Sequence, residues 1–274
     1  MNKRMRCTVI IDGRNQYNAE FLKKKGFEIV KEVICMNEII RMRKSIRKYD
    51  LAGVDDVTLE AVRAQIDKVA PLYPDIRYSI EIAEKTKGAF GVKAPYYLLF
   101  RSEEKDGSLE NIGFIGQQMD LFFSGSGLGA CWLGMAKPEG NVVSTLPFVI
   151  CMAFGKPAEP LYRDVSEFKR KPLNVVSEGE DERLEAARLA PSGMNAQNWY
   201  FVADNGKIHC YRKKSKSMLG FMTGRLSHID MGIALCHIAE ESENFSFVIE
   251  ADVPFRKGYV YAGTVTGLQS QESL

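Results

Sequence analysis

The chain carries almost no net charge. Its 37 lysines and arginines against 35 acids leave a formal +2 over 274 residues, so bulk electrostatics offers no pull toward nucleic acid or an anionic membrane surface. Long apolar runs are missing too. The longest, such as residues 148–154, have the length of a buried strand and fall well short of the ~20 residues that cross a bilayer. Histidine is scarce: His209, His228 and His237 are not spaced as a pair on one helical face, which argues against a metal centre. No CxxC pair occurs among Cys7, Cys35, Cys131, Cys151, Cys210 and Cys236. Cysteines scattered through apolar runs behave as small hydrophobes, and they suit a reducing cytoplasm better than a disulfide framework. A signal peptide is not recognisable at the N-terminus. These absences lead to the expectation of a cytoplasmic protein with no membrane or nucleic-acid partner.

What is there is ample material for a core. Hydrophobic residues make up 45% and aromatics 10%, enough for one large domain or two small ones. Residues 1–35 read as a strand (7–11), a turn at Asp12-Gly13, a short helix and a second strand (27–34). A second methionine, Met36, then opens a helix-like run. The expected division is an appended segment 1–35, a first half 36–173 and a second half 174–274.

In the first half, Arg43, Lys44, Ser45, Arg47 and Lys48 crowd cations around a hydroxyl. If extended, alternation puts Arg43, Ser45 and Arg47 on one side, a pattern suited to a phosphate or polyol because guanidinium offers a planar donor fork. A solvated basic turn would look the same. Residues 54–70 read as an amphipathic helix, 94–100 as a strand and 112–124 as an apolar helix. That helix runs into the glycine bend Gly125-Ser126-Gly127-Leu128-Gly129, followed by the apolar stretch to Leu133-Gly134. The glycines follow a helix and lack GxGxxG spacing, which excludes a Rossmann fingerprint. Beyond the strand 148–154 and Gly155-Lys156-Pro157, three cations stand between Phe168 and Pro172: Lys169, Arg170 and Lys171.

The second half repeats the first in outline: a helix at 184–189, a hairpin (199–203 and 207–211) around Asn205-Gly206, a helix at 229–241 and a strand at 245–250. Residues 229–235 resemble 115–122, and Val69-Ala70-Pro71-Leu72 resembles Leu189-Ala190-Pro191-Ser192. Each copy keeps what the other lacks. The glycine bend and cations belong to the first, and the loop Pro191-Ser192-Gly193-Met194-Asn195-Ala196-Gln197 to the second. A proline at its start ends the preceding helix, and Ser192, Asn195 and Gln197 supply donors and acceptors. Such a loop could grip a planar heteroaromatic ring, or be an ordinary capped helix–strand connection. The tail after Thr266 is polar and is expected to fray.

Taken together, the Arg43–Tyr49 segment, the Gly127–Gly134 stretch with Gly155-Lys156-Pro157, the Lys169–Leu173 basic run and the 190–199 loop resemble signatures of the nitroreductase family over most of 36–274. The pattern is most similar to the single-chain, pseudo-dimeric type. The resemblance implies an α+β fold with a central, mostly antiparallel sheet flanked by helices, duplicated within one chain. It also implies FMN as cofactor, NADH or NADPH as electron donor, and a nitroaromatic or quinone-like acceptor reduced by ping-pong hydride transfer. On this resemblance, the Arg43-x-Ser45-x-Arg47 segment with Lys169 and Lys171 holds the phosphate and ribityl chain, and Lys44, Arg47 or Asn195 stands at the pyrimidine end of the ring, where reduced flavin becomes anionic. Leu133 and Gly134 lie beside the ring, and Pro191, Ser192, Gly193, Asn195 and Gln197 reach it from the other half, while the flavin itself carries the chemistry. Arg43→Ala is expected to lose FMN without losing the fold. The order of motifs departs from the family, since the polar loop normally follows the Arg-x-Ser-x-Arg segment closely, and Asn198 stands where proline is usual. A fused dimer with one complete site per chain accounts for the first departure. Flavin binding without turnover, or other flavin chemistry such as reductive dehalogenation or flavin fragmentation, are the alternatives. Such a chain could be a monomer or a homodimer. Residues 8–34 resemble the C-terminal end of UDP-glucose 6-dehydrogenases, but only that tail is present and it implies no function.

Overall fold

A computed structural model describes residues 36–89, 91–140, 144–214 and 220–269. The elements expected in 1–35, and the resemblance to UDP-glucose 6-dehydrogenase at 8–34, lie outside the described residues.

The first half opens with two short helices, α1 (Met36–Met42) and α2 (Asp56–Ile66). Asp55 starts α2 by accepting from the Thr58 amide at 2.7 Å, which satisfies one of the amides a helix start leaves without a partner. There follow β1 (Tyr78–Ala83), β2 (Thr86–Lys87), β3 (Tyr96–Ser102), the long helix α3 (Ser108–Gly125), β4 (Gly129–Leu133), β5 (Lys137–Pro138) and β6 (Phe148–Gly155). The crossing segment carries α4 (Leu173–Val176) and β7 (Ser177–Glu178). The second half then contributes α5 (Arg183–Leu189), β8 (Trp199–Asp204), β9 (Lys207–Lys213), α6 (Gly220–Glu240), β10 (Ser242–Val248) and β11 (Tyr259–Gln269).

Two antiparallel sheets have the same winding. The first has the order β1-β3-β6-β4, and the second, without its edge strand β7, has β8-β9-β11-β10. In each, two strands precede a long helix and two follow it, and the last strand of the half inserts in the middle. The fold is α+β and internally duplicated. The chain leaving β6 crosses to the other sheet, where β7 pairs in parallel with β8 (Ser177 with Phe201).

The long helices meet at a reciprocal contact. A Cβ on Gly113 would lie 2.1 Å from the carbonyl oxygen of Ile229, and one on Gly232 would lie 1.9 Å from that of Glu110. Contacts that return to the same positions of both partners are the mark of a two-fold relation, here within one chain. Gly113 thus corresponds to Gly232. The sequence comparison of 229–235 with 115–122 was out of register, because both helices are apolar around most of their circumference and such a pattern can slide without losing its match.

The core does not respect the halves. Phe100, Ile115 and Met152 belong to one buried cluster with Leu184, Phe201 and Leu235. Three expectations change. The last long helix begins at Gly220 rather than 229. β1 and β11 were not expected as strands, and β11 continues past Thr266 because Ser242 and Glu243 of β10 pair with its end. The basic segment does not alternate: Arg43, Ile46 and Tyr49 are its buried positions. It makes single bridges to Tyr162, Ala130, Lys93 and Pro157, wrapping past strand ends instead of lying straight along one.

Candidate functional site

The loop after α5 is held in an uncommon shape. Pro191 closes the helix, and Met194, Asn195 and Gln197 then adopt positive φ values of 51°, 55° and 48°. Asn tolerates this left-handed region, but for Met and Gln it costs on the order of 1 kcal/mol each. The surroundings fix it. Asp230 Oδ1 accepts from the Gly193 amide at 2.8 Å, and Ser192 Oγ accepts from the Gln197 amide at 3.0 Å. Met194, at the tip, is 82% exposed.

The basic run 169–171 docks onto this loop. Asn195 Nδ2 donates to the Lys169 carbonyl at 2.6 Å, and Arg170 Nη1 donates to Asn195 Oδ1 at 2.7 Å. Lys171 Nζ donates to the Ala196 and Gln197 carbonyls at 2.7 and 3.0 Å, while its amide donates to Gln197 Oε1 at 2.7 Å. The side chains of Asn195 and Gln197 therefore bind the basic run directly. Arg170 also caps α5, giving Nε and Nη2 to the Leu189 carbonyl at 3.3 and 3.1 Å, a favourable place for a cation at a helix end.

Arg170 belongs to a chain of guanidiniums. Arg163 stacks on the Phe168 ring, 3.5 Å from its centroid, and donates from Nε to the Arg43 carbonyl at 3.2 Å. Arg170 lies 5.6 Å from the same ring. Burial, then the charges of Arg163, Arg43 and Arg188, push Arg170 down to about 9. Burial and Arg43 push Arg163 down to about 10, against the pull of Glu167. Both stay charged near neutrality, and no carboxylate among the described residues counts among the influences on Arg170. Arg43 pairs with Asp120 and Arg188 with Glu185, so Arg170 is the member left without compensation.

Arg43 itself is fully buried. Its Nε forms an ion pair with Asp120 Oδ2 at 2.9 Å, and Nη2 donates to Ser45 Oγ at 3.3 Å. Nη1 has no hydrogen-bond partner among the described residues. Gln117 Nε2 donates to Asp120 Oδ2 at 2.9 Å and lies 3.0 Å from His237 Nε2. Burial pushes His237 down to about 3, so its ring is neutral there. Burial also pushes Asp120 up, with Arg43 and Gln117 pulling it back. Ser45 bridges to Ala130. Arg47 is exposed, Lys44 half-buried, and Glu159 accepts from the amides of Arg47 and Lys48 at 2.8 and 3.3 Å.

The two halves close around Leu226 of α6. A Cβ on Gly134 would lie 3.3 Å from Leu226 Cδ2, and one on Gly193 would lie 3.3 Å from Cδ1. Bare backbone thus faces Leu226 from both halves, and Leu133, beside Gly134, is buried with Ile46 and Cys131. The structure brings together Gly134, Lys169, Lys171 and the whole loop 191–197, and ties Arg43 to them through Arg163. Ser45 is linked to this group through Arg43 Nη2, while Arg47 lies beside Glu159, which also attracts Lys44. Sequence reasoning passed over Arg163, Arg170, Leu226 and Asp230. Asp230 was visible as a lone acid in an apolar helical run. Arg170 was overlooked because the lysines on either side matched the motif.

The same hook is built on the other side of the two-fold. Asn111 Oδ1 accepts from the Tyr73 amide at 3.0 Å, two residues after Pro71, as Gly193 is two after Pro191. Asn111 precedes Gly113 by the spacing that separates Asp230 from Gly232. There the bulk is reversed: Tyr73 is the loop residue, and a Cβ on Gly107, which corresponds to Leu226, would meet its ring at 2.7 Å. The Tyr73 ring packs edge-on to Phe247, with centroids 6.2 Å apart.

A family model described as "Putative TM nitroreductase" matches residues 36–242. The chain belongs to this nitroreductase family. Its structure is similar to that of a nitroreductase-like protein from Thermotoga maritima, with a TM-score of 0.60 at 19% identity, over 87% of this chain and 95% of that one. A nitroreductase family protein from Clostridium difficile 630 matches over 51% of this chain and 94% of its own, at 16% identity and a TM-score of 0.42. An FMN-dependent nitroreductase from Clostridium difficile R20291 matches over 49% and 96%, at 16% identity and a TM-score of 0.37. No curated protein matches the sequence. Among the described residues there is no group of three or more potential metal ligands and no helix long and apolar enough to cross a membrane.

Proposed function

We propose that this member of the nitroreductase family is an FMN-dependent oxidoreductase that takes hydride from NADH or NADPH and reduces a nitroaromatic or quinone-like acceptor in ping-pong fashion. The observation that carries the reading is the junction of the halves, where the loop 191–197 is bound by the basic run 169–171 and its Gly193 meets Leu226, which Gly134 also meets.

The residues fit the cofactor on two counts. Arg170 is repelled by Arg163, Arg43 and Arg188 with no carboxylate acting on it among the described residues, which a phosphate of nearly two negative charges would relieve. Gly134 and Gly193 present bare backbone on either side of Leu226, and glycine allows the close approach that a flat ring would need. Bound FMN would supply the hydride chemistry. In this reading Lys44, Ser45, Arg47, Lys169, Arg170 and Lys171 attract and orient the phosphate and ribityl end. Arg43 holds its segment from within by pairing with Asp120. Pro191, Ser192 and Gly193 with Leu133 and Gly134 flank the ring, while Asn195 and Gln197 act by fastening the loop to the basic run.

In this reading the halves are 36–173 and 174–274, which supply complementary parts of one site, and 1–35 is an appended segment. Free, buried Cys131, Cys151, Cys210 and Cys236 support a reducing, cytoplasmic setting. The partner is a small-molecule acceptor, and the fused chain can work as a monomer or associate further.

The test is the visible absorption spectrum of the purified protein, before and after FMN reconstitution, followed by anaerobic NADH and NADPH. A flavin band that bleaches is the expected result. A band that neither donor bleaches identifies a flavin-binding protein without turnover, and no band after reconstitution rules out the cofactor.

A further inference from the structure

We infer that Asp230 is a positioning residue of the cofactor loop, an inference that rests on the FMN reading above. Its carboxyl holds the Gly193 amide and through it the left-handed turn that presents Asn195 to Arg170 and Lys169.

The two-fold within the chain isolates this role. Asp230 and Asn111 stand at equivalent turns of the paired helices, and each accepts from the backbone amide two residues after a proline. The fold therefore uses this hook twice, but the two loops differ. Beyond Tyr73 the described residues show no positive φ until Gly88, whereas Met194, Asn195 and Gln197 follow Gly193 directly. Asn195 at φ 55° has its amide bound to the Lys169 carbonyl and its carbonyl oxygen to Arg170. Releasing Gly193 frees the start of this turn, whose Met and Gln residues relax from the left-handed region at a gain.

The side chains nearby show why the hook has a functional consequence on one side only. In the twin, the Tyr73 ring packs over Gly107, whereas here Gly193 meets Leu226 with backbone alone, as Gly134 does from the other half. A shift of the second loop moves a surface that the cofactor would touch, and a shift of the first moves a filled contact. Burial pushes the Asp230 carboxyl up to about 7, with the Gly193 amide pulling it back. The hook needs only an acceptor, which Asn111 supplies without charge, so an amide should replace the carboxyl.

The experiment compares FMN dissociation constants of the full chain by flavin fluorescence, together with hydrogen exchange of the Gly193 amide without flavin. Five proteins are needed: the natural chain, Asp230→Asn, Asp230→Leu, Asp230→Ala and Asn111→Ala. The expected result is an affinity within about threefold for Asp230→Asn, and weakened by about tenfold or more, with faster Gly193 exchange, for Asp230→Leu. Asn111→Ala, which breaks the twin hook, leaves FMN affinity unchanged, and so separates positioning from general support of the fold. Equal FMN affinity in Asp230→Leu and the natural chain overturns the inference. So does equal weakening by Asn111→Ala, or failure of both Asp230→Leu and Asp230→Ala to fold. A natural chain that binds no FMN overturns the cofactor reading itself, and is told apart from these results by its own titration.

Discussion

Arg43 and Asp120 form an ion pair of 2.9 Å in which both side chains are shut off from water. Removing one partner leaves the other charged or polar group buried alone. Asp120→Ala is therefore expected to lower stability by about 3–5 kcal/mol. Arg43→Ala should lose stability as well, contrary to the simpler expectation that it would only release cofactor. By contrast, Arg63→Ala breaks an exposed pair with Glu60 and should cost no more than about 0.5 kcal/mol. Denaturant titration of the three variants measures this directly, and equal losses for Asp120→Ala and Arg63→Ala would contradict it.

Helix α6 offers two glycines of opposite character. Gly232 faces the Glu110 carbonyl, where a Cβ would sit at 1.9 Å, while nothing lies within 4 Å of a Cβ on Gly224. Gly232→Ala forces the long helices apart and should cost about 3 kcal/mol or more, at the upper end of overpacking losses. Gly224→Ala should stabilise by roughly 0.5–1 kcal/mol, because alanine loses less backbone freedom in a helix. Thermal melts that move in the same direction for both would refute the reciprocal contact.

The guanidiniums around Phe168 predict a graded loss of cofactor. Arg170→Ala removes the link to Asn195 and one of the two charges bound to the loop, and should weaken FMN by at least about tenfold, as expected for a charge-assisted contact. Lys169→Ala, whose backbone carbonyl makes the contact to Asn195, should have the smaller effect. Affinity in the natural chain should also fall as salt rises, since exposed cations are screened. Isothermal titration at two ionic strengths decides it.

Asp230 predicts a pH dependence with a definite sign. Its ordinary value is 3.8 and burial raises it to about 7 in the folded chain. Between these values the folded state holds a proton that the unfolded state has released. Stability from this group is thus full below about pH 4 and is lost as pH rises toward 7, by at most about 1.4 kcal/mol per pH unit. Asp230→Asn removes the dependence. The difference in unfolding free energy between the natural chain and Asp230→Asn should therefore shift in favour of Asn from pH 4 to pH 8. A constant difference would show that the carboxyl is not perturbed.

The parts of this protein that could be read from sequence are those whose physics is local. Pro191 ends a helix whatever surrounds it, Asn205-Gly206 turns a hairpin, and cations such as Lys169 to Lys171 stand out from their neighbours. What the sequence withheld depends on partners far along the chain. Nothing near Arg43 announces Asp120, and nothing near Gly193 announces Asp230. The alternation expected of Arg43, Ser45 and Arg47 failed because Arg43 found that distant carboxylate and turned inward. The repeat was legible in outline, but its register lay in two glycines whose meaning appears only when the helices are packed together.

The exchange of Tyr73 over Gly107 for Gly193 against Leu226 says something about fusion as such. In an assembly of two identical subunits every substitution is made twice, so a tyrosine that shuts one cleft shuts both. Joining the copies in one chain removes that coupling. One side can carry a tyrosine ring over Gly107 while its counterpart keeps bare backbone against Leu226, so each side can be shaped independently.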